Sequence, residues 1–403
     1  MRVCIEKSAL GTPKSLVINE DSSFEWSDTE SCDVCLFGSG RSQCVEMEDL
    51  ARMCGVSLDG LSVSSVPHSR AFSTLGVDPA SVPWFLAMGR DQFKETILRI
   101  STSVCGITQN SHLSQYLPVY RQCRDFLNNL SRPRIDVKSL EHAVSICDSG
   151  LSVIKTLKSF TPDERGLAPR IVYDHAGTAT GRLTVKEGPS ILTLPKSCRS
   201  VIRSPRGGEL WEVDFVSLEP RFVLHVMGRP APRDIYEDIR QKVFGGELDR
   251  KVVKTAAISA LYGSSAELMS ELTGAATPAR SVIRRVKEYF GSEALGGRLT
   301  AEATASGHLH NYYGRPLPDM TPGTKESKLI SYYVQSSCVD TSLLGFIDLC
   351  DRIKSLDARP MYVIHDALLI DVPGGSVEEF LHACSSGIRL EVGHFELSAN
   401  RVS

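Results

Sequence analysis

The sequence predicts an α+β protein with two strands ending in aspartate and a basic helix between them in chain order. Three stretches predict it. Leu210-Trp-Glu-Val-Asp214 reads as an apolar strand closing on a carboxylate, and a helix follows through Phe222–Met227. Asp249–Gly263 is rich in helix formers, comes after the Gly245-Gly246 break and begins with Asp249, a residue suited to capping the first turn. Met361–Val372 reads as two apolar strands around His365-Asp366, a hairpin with those residues at its tight turn.

Along Asp249–Gly263, Arg250, Lys254, Ile258 and Tyr262 recur every fourth residue and so stack on one helix face. Two cations near a helix N-terminus oppose the macrodipole, at a cost of a few tenths of a kcal/mol. A bound anion reverses that sign. A triphosphate lying along the stripe, with an aromatic ring further up the same face, meets both conditions. The two strand-end aspartates pose a second problem, because a buried unpaired carboxylate is expensive. A divalent cation shared between them removes the cost, and two Mg²⁺ held by two Asp suit phosphoryl transfer. Taken singly, the helix also reads as a solvated amphipathic surface, and each Asp as a turn or cap residue. Their order along the chain favours the chemistry.

These residues resemble a known family, the family A DNA polymerases, which include bacterial DNA polymerase I and many phage replicases. Asp214-Phe-Val-Ser-Leu-Glu219-Pro-Arg221 is similar to the family's first motif, Asp-Tyr-Ser-x-x-Glu-x-Arg. Arg250, Lys254 and Tyr262-Gly263 match its fingers-helix spacing, and His365-Asp366 matches its third motif. Thr178-Ala-Thr-Gly-Arg182-Leu, Asp234-Ile-Tyr236, Gly314-Arg-Pro-Leu-Pro318 and Gln335 fall in the expected order, so the resemblance runs from about residue 150 to 403.

The resemblance implies a right-hand fold, with an antiparallel palm sheet, helical fingers and a helical thumb, beside a small N-terminal α/β region. The implied division is 1–85 N-terminal region of unknown role, 86–165 thumb, 166–230 first palm segment, 231–328 fingers and 329–403 second palm segment. It implies DNA-templated addition of dNTPs to a primer 3′-OH, with primer-template DNA as partner and two Mg²⁺ as cofactor. Asp214, Asp366 and the Phe215 carbonyl are the expected metal ligands. Arg250 and Lys254 would grip the triphosphate, and Lys254 would protonate the leaving group. Tyr262, Glu219, Ile258 and Tyr236 complete the nucleotide site. Arg182, Gln335, His365 and Arg221 are the expected DNA contacts, although His365 reads equally as a buried structural histidine.

Two departures bear on rate and sugar choice. Ile258 replaces the aromatic residue that packs on the incoming sugar, and Ala367 replaces a Glu beside the second metal ligand. Tyr236 stands where many relatives have His. An aliphatic residue at 258 also suits a phage-type single-subunit RNA polymerase, but those enzymes carry a small residue where this chain has Glu219. A silent DNA-binding scaffold is the other alternative, and the retained Asp214 and Asp366 oppose it.

Composition sets the outer bounds. The 403 residues are 42% hydrophobic, ordinary for a soluble protein, with no apolar run long enough for a membrane helix and no signal-peptide pattern at the N-terminus. The net charge of −3 hides an asymmetry, since residues 92–210 hold 17 Lys and Arg against 10 Asp and Glu. A basic middle suits a nucleic-acid partner. The 12 cysteines form no disulfide framework and read as reduced thiols of a cytoplasmic protein. Cys32-x2-Cys35, with Cys44 and Cys54 following, could make a zinc site, but the second pair lacks knuckle spacing and Cys32–Phe37 also reads as a plain buried strand. Asp28-Thr-Glu30 has the form of an exonuclease motif, but it follows no apolar strand and reads as coincidence. The sequence does not indicate a processivity partner.

Overall fold

The computed structural model describes residues 1–19, 21, 23–28, 32–36, 45–56, 69–78, 81–108, 111–146, 151–274, 278–318 and 323–402. It is an α+β chain that separates into two compact units, one of residues 1–121 with 313–318, the other of 122–312 with 319–403. The boundary falls inside the helix Ser111–Asn128, beyond the 85/86 division expected from sequence.

In the first unit, strands Val3–Ile5, Ser15–Ile18, Phe24–Ser27, Val34–Leu36 and Val45–Glu46 form one sheet in the order third, second, first, fourth, fifth. The first strand runs parallel to the fourth and antiparallel to the second. Every residue of Val3–Ile5 and Val34–Leu36 is buried, and the second of these lies in the stretch that reads as a buried strand in the sequence. Phe24–Ser27 is largely exposed at the edge, so its pattern carried no such sign. Helices Met47–Met53 and Arg90–Thr108 follow. Arg315, within the expected Gly-Arg-Pro motif, is 1% exposed and donates to the Tyr116 hydroxyl at 3.1 Å.

Cys35 lies on its buried strand with Sγ 3.8 Å from Glu6 Oε1, and burial pushes the Cys54 thiol up to about 11. Cys44 and Glu30 lie outside the described residues. Asp28 pairs with Lys14 at 3.0 Å.

The second unit is built on a four-stranded antiparallel sheet in the order Arg359–Ile364, Ala367–Val372, Glu209–Phe215, Leu397–Arg401. Of its two central strands, Ala367–Val372 is buried along its whole length and apolar but for Asp371, while Glu209–Phe215 carries Glu209, Glu212 and Asp214 among its apolar residues. The long helix Glu326–Arg352 crosses one face, and Phe215 packs there against Phe346 and Phe395 at ring separations of 5.3 and 6.1 Å. Gly345 permits this approach, since a Cβ there would sit 2.6 Å from the Phe215 ring.

Helices Ile235–Phe244, Arg250–Leu261, Ala266–Thr273 and Ala279–Phe290 form the region expected to be fingers. Asp249 caps the basic helix Arg250–Leu261, accepting from Lys251 N at 2.7 Å, and Asp234 caps its predecessor through Glu237 N at 3.0 Å. Helix Ser292–Ser306 was not legible in the sequence, because Gly296-Gly297 breaks its pattern. Gly296 lies close to the long helix, where a Cβ would sit 2.9 Å from the Glu326 carboxylate.

Candidate active site

The antiparallel register sets the centre of the site. Asp214, near the end of its strand, pairs directly with Ala367, the first residue after the His365-Asp366 turn. Phe215 N also donates to the Asp366 carbonyl at 3.4 Å, tying the strand end to the hairpin. Two of the three described non-glycine residues with positive φ flank this point, Ser217 at 55° and His365 at 58°. Left-handed backbone in side-chain-bearing residues costs about 1–2 kcal/mol each and concentrates at functional sites.

Asp214 Oδ1 is buried and has no hydrogen-bond partner. Burial, and then the charge of Asp366, raise the Asp214 carboxyl to about 6, with Lys196 and Lys254 opposing the shift. A carboxylate left unsatisfied beside a second carboxylate fits a cation. Among the described residues no group of three or more His, Cys, Asp or Glu side chains is arranged to hold one. Two carboxylates would therefore leave most coordination positions to water and phosphate oxygens, as Mg²⁺ prefers. Asp366 and His365 are exposed at the hairpin tip, not buried as a strand-end Asp and a structural His would be. A two-residue turn leaves its tip uncovered.

His365 and Asp366 line a cavity of about 350 Å³ together with Arg182, Glu219, Gln335 and Cys338. Tyr262, at the end of the basic helix, donates to Glu219 Oε2 at 2.6 Å, and Arg182 lies 3.8 Å from Glu219 Oε1. Burial raises the Glu219 carboxyl, and the Tyr262 hydroxyl is held far above its usual value for the same reason. Gly263 has φ 92°, and a Cβ there would meet Ser327 at 2.6 Å, so only glycine fits after Tyr262.

Lys254 and Arg250 are exposed on the basic helix, while Ile258 is half-buried on the same stripe. Tyr236 is buried beneath the two cations, its ring centroid 5.6 Å from the Arg250 guanidinium carbon and 5.8 Å from Lys254 Nζ.

Arg221 corrects the sequence reading. It is 2% exposed, and its guanidinium donates to the carbonyls of Val216, Pro232 and Arg233 at 3.4, 3.2 and 3.1 Å. Those donors are spent on the backbone, so Arg221 fastens the chain after Asp214 instead of facing DNA. Arg132 is also engaged with its own chain, pairing with Asp163 at 2.6 Å and donating to the Ala168 carbonyl at 2.6 Å.

Sequence reasoning missed several residues around the site. Cys338, Val339 and Ser342 line the cavity at three, four and seven residues after Gln335, a spacing that could have found them. Asp340, on an adjacent face of that helix, lies 3.1 Å from His175 Nε2 and accepts from Asn311 at 2.6 Å. This links the loop carrying Arg182 to the long helix. Glu212, two residues before Asp214, is bound by Lys196 at 3.0 Å and by Arg199. No motif marked these contacts, because each joins segments distant in sequence.

The polymerase domain of Pol1 from M. smegmatis, solved with DNA primer-template and dNTP, superposes with a TM-score of 0.60 at 15% identity, covering 96% of this chain and 92% of that one. This chain has that domain's fold. DNA polymerase I of Thermus caldophilus is 25% identical over 238 residues, and the DNA polymerase of Mycobacterium phage L5 is 29% identical over 212. About half of the chain is thus similar to DNA polymerases. The matches cover 51% and 49% of the chain but only 28% and 34% of these relatives, so it corresponds to about a third of their length or less. DNA polymerase I of Deinococcus radiodurans is 23% identical over 252 residues. No family model matches. No helix among the described residues is long and apolar enough to cross a membrane.

Proposed function

We propose that the chain is a DNA-templated DNA polymerase that adds dNTPs to a primer 3′-OH with release of pyrophosphate. The observation that carries this reading is the convergence of Asp214 and Asp366 with the Tyr262–Glu219 contact at one end of the basic helix. Asp214 and Asp366, with the Phe215 carbonyl, would hold two Mg²⁺, which lower the barrier to attack by the 3′-OH and to pyrophosphate departure. Arg250 and Lys254 bind the triphosphate, and Lys254 gives a proton to the departing pyrophosphate. Glu219 and Tyr262 wall off the sugar's 2′ side. Arg182, Gln335 and His365, which line the cavity, hold the primer terminus and the first base pairs. Arg182 reaches minor-groove acceptors common to all base pairs.

Residues 86–165 form the thumb, 231–328 the fingers, and 166–230 with 329–403 the palm in this reading. Reduced cysteines suit a cytoplasmic setting. The aliphatic Ile258 alone favours an RNA polymerase, and the carboxylate at 219 opposes it.

Primer extension on a defined template tests the proposal. Templated dNTP addition with Mg²⁺, abolished by EDTA, is expected. No extension under either condition would overturn it.

A further inference from the structure

The resemblance puts Tyr236 in the nucleotide site, at a position where many relatives have histidine. Its placement gives it a different part. The ring is 4% exposed, and the hydroxyl shares a hydrogen bond with Ser217, three residues after Asp214. Burial pushes that hydroxyl up to about 12, so it stays a neutral phenol. What Tyr236 offers the site is its face, over which Arg250 lies at 5.6 Å and Lys254 at 5.8 Å. Two residues earlier, Asp234 takes the Nε and Nη2 edge of Arg250, each at 3.0 Å, while its Oδ1 also caps the helix through Glu237 N. The guanidinium is held in its plane by Asp234 and on its face by Tyr236, with Nη1 left for a ligand.

We propose that Tyr236 and Asp234 are positioning residues that hold Arg250 and Lys254 as a preassembled cation pair for a nucleoside triphosphate, Tyr236 acting through its ring and not as a phosphate ligand. The inference rests on the polymerase reading of the basic helix. Its physical basis is preorganisation. Two long flexible cations otherwise lose their rotamer freedom only when the triphosphate arrives, at the expense of affinity. A shared aromatic face attracts both cations and orders them beforehand.

The test compares Tyr236→Leu, Tyr236→Phe and Asp234→Asn by steady-state primer extension, and by calorimetric binding of inorganic tripolyphosphate in EDTA. Tyr236→Leu should raise KM for dNTP about five- to tenfold, as expected for two lost cation–π contacts, with much less change in kcat. Tripolyphosphate binding should weaken in parallel. Tyr236→Phe, which keeps the ring and loses the hydroxyl, should recover most of that loss. Asp234→Asn keeps the helix cap and should raise KM by a smaller factor, and it carries the test alone if Tyr236→Leu does not fold.

Phe as impaired as Leu, a loss confined to kcat, or unchanged tripolyphosphate binding in the Leu and Asn variants would overturn the proposal. A wild-type protein that binds tripolyphosphate with this variant pattern but extends no primer would support the cation pair and sink the polymerase reading.

Discussion

The Tyr262 hydroxyl donates a 2.6 Å hydrogen bond to Glu219 Oε2, joining the end of the basic helix to the helix that follows Asp214. Each partner is on a different helix, and each is displaced from ordinary titration by burial. In the polymerase reading this pair is the wall that a ribose 2′-OH would meet. Glu219→Ala should therefore raise ribonucleotide incorporation relative to dNTP by at least about tenfold, the equivalent of roughly 1.4 kcal/mol in the barrier. Competitive single-nucleotide insertion measures the ratio, and an unchanged ratio would remove Glu219 from sugar selection. Ile258→Phe should tighten the ratio, because a flat ring adds to the same wall.

Asp214→Asn and Asp366→Asn should each abolish extension while primer-template affinity stays within a few-fold of wild type. The two carboxylates supply metal chemistry and contribute little to DNA binding. Filter binding alongside extension separates the two effects. More than a few per cent of normal turnover in either variant would contradict the assignment.

The raised Asp214 carboxyl has a pH signature. Its folded value is about 6 against 3.8 for the ordinary group. The folded state thus binds more protons than the unfolded state between those values, so without metal this group's contribution to stability falls as pH rises through that window. Mg²⁺ competes with the same proton. The increase in melting temperature on adding Mg²⁺ should be small at pH 5, grow towards pH 7, and flatten in Asp214→Asn. An equal Mg²⁺ effect at both pH values in wild type would argue against metal at Asp214.

Arg221→Leu should destabilise the fold without a specific loss of DNA affinity. It strands three backbone carbonyls, and leaving a buried acceptor unsatisfied costs about 1–3 kcal/mol. Thermal melting and DNA binding of the folded fraction distinguish the outcomes. A stable variant with weakened DNA binding would restore Arg221 to the DNA-facing surface.

Legibility followed the range of the interaction. Asp249 as a cap, the basic stripe and the His365-Asp366 hairpin were readable because each is written within one turn or one tight loop. The register placing Asp214 opposite Ala367 came from pairing residues about 150 apart, and no local pattern records it. Arg221 shows the complementary failure. Its place in a motif suggested a ligand contact, but burial made it a fastener for the Pro232-Arg233 turn. Tyr236 lies beside the two cations, and only three-dimensional packing shows that its hydroxyl is already bonded to Ser217.

The most direct measurement of the central claim is single-nucleotide insertion opposite each of the four template bases, with dNTPs and NTPs supplied separately in Mg²⁺. The account predicts that each template base selects its complementary dNTP, with the matching NTP used much more slowly. Insertion indifferent to the template base, or a preference for NTPs, would contradict it.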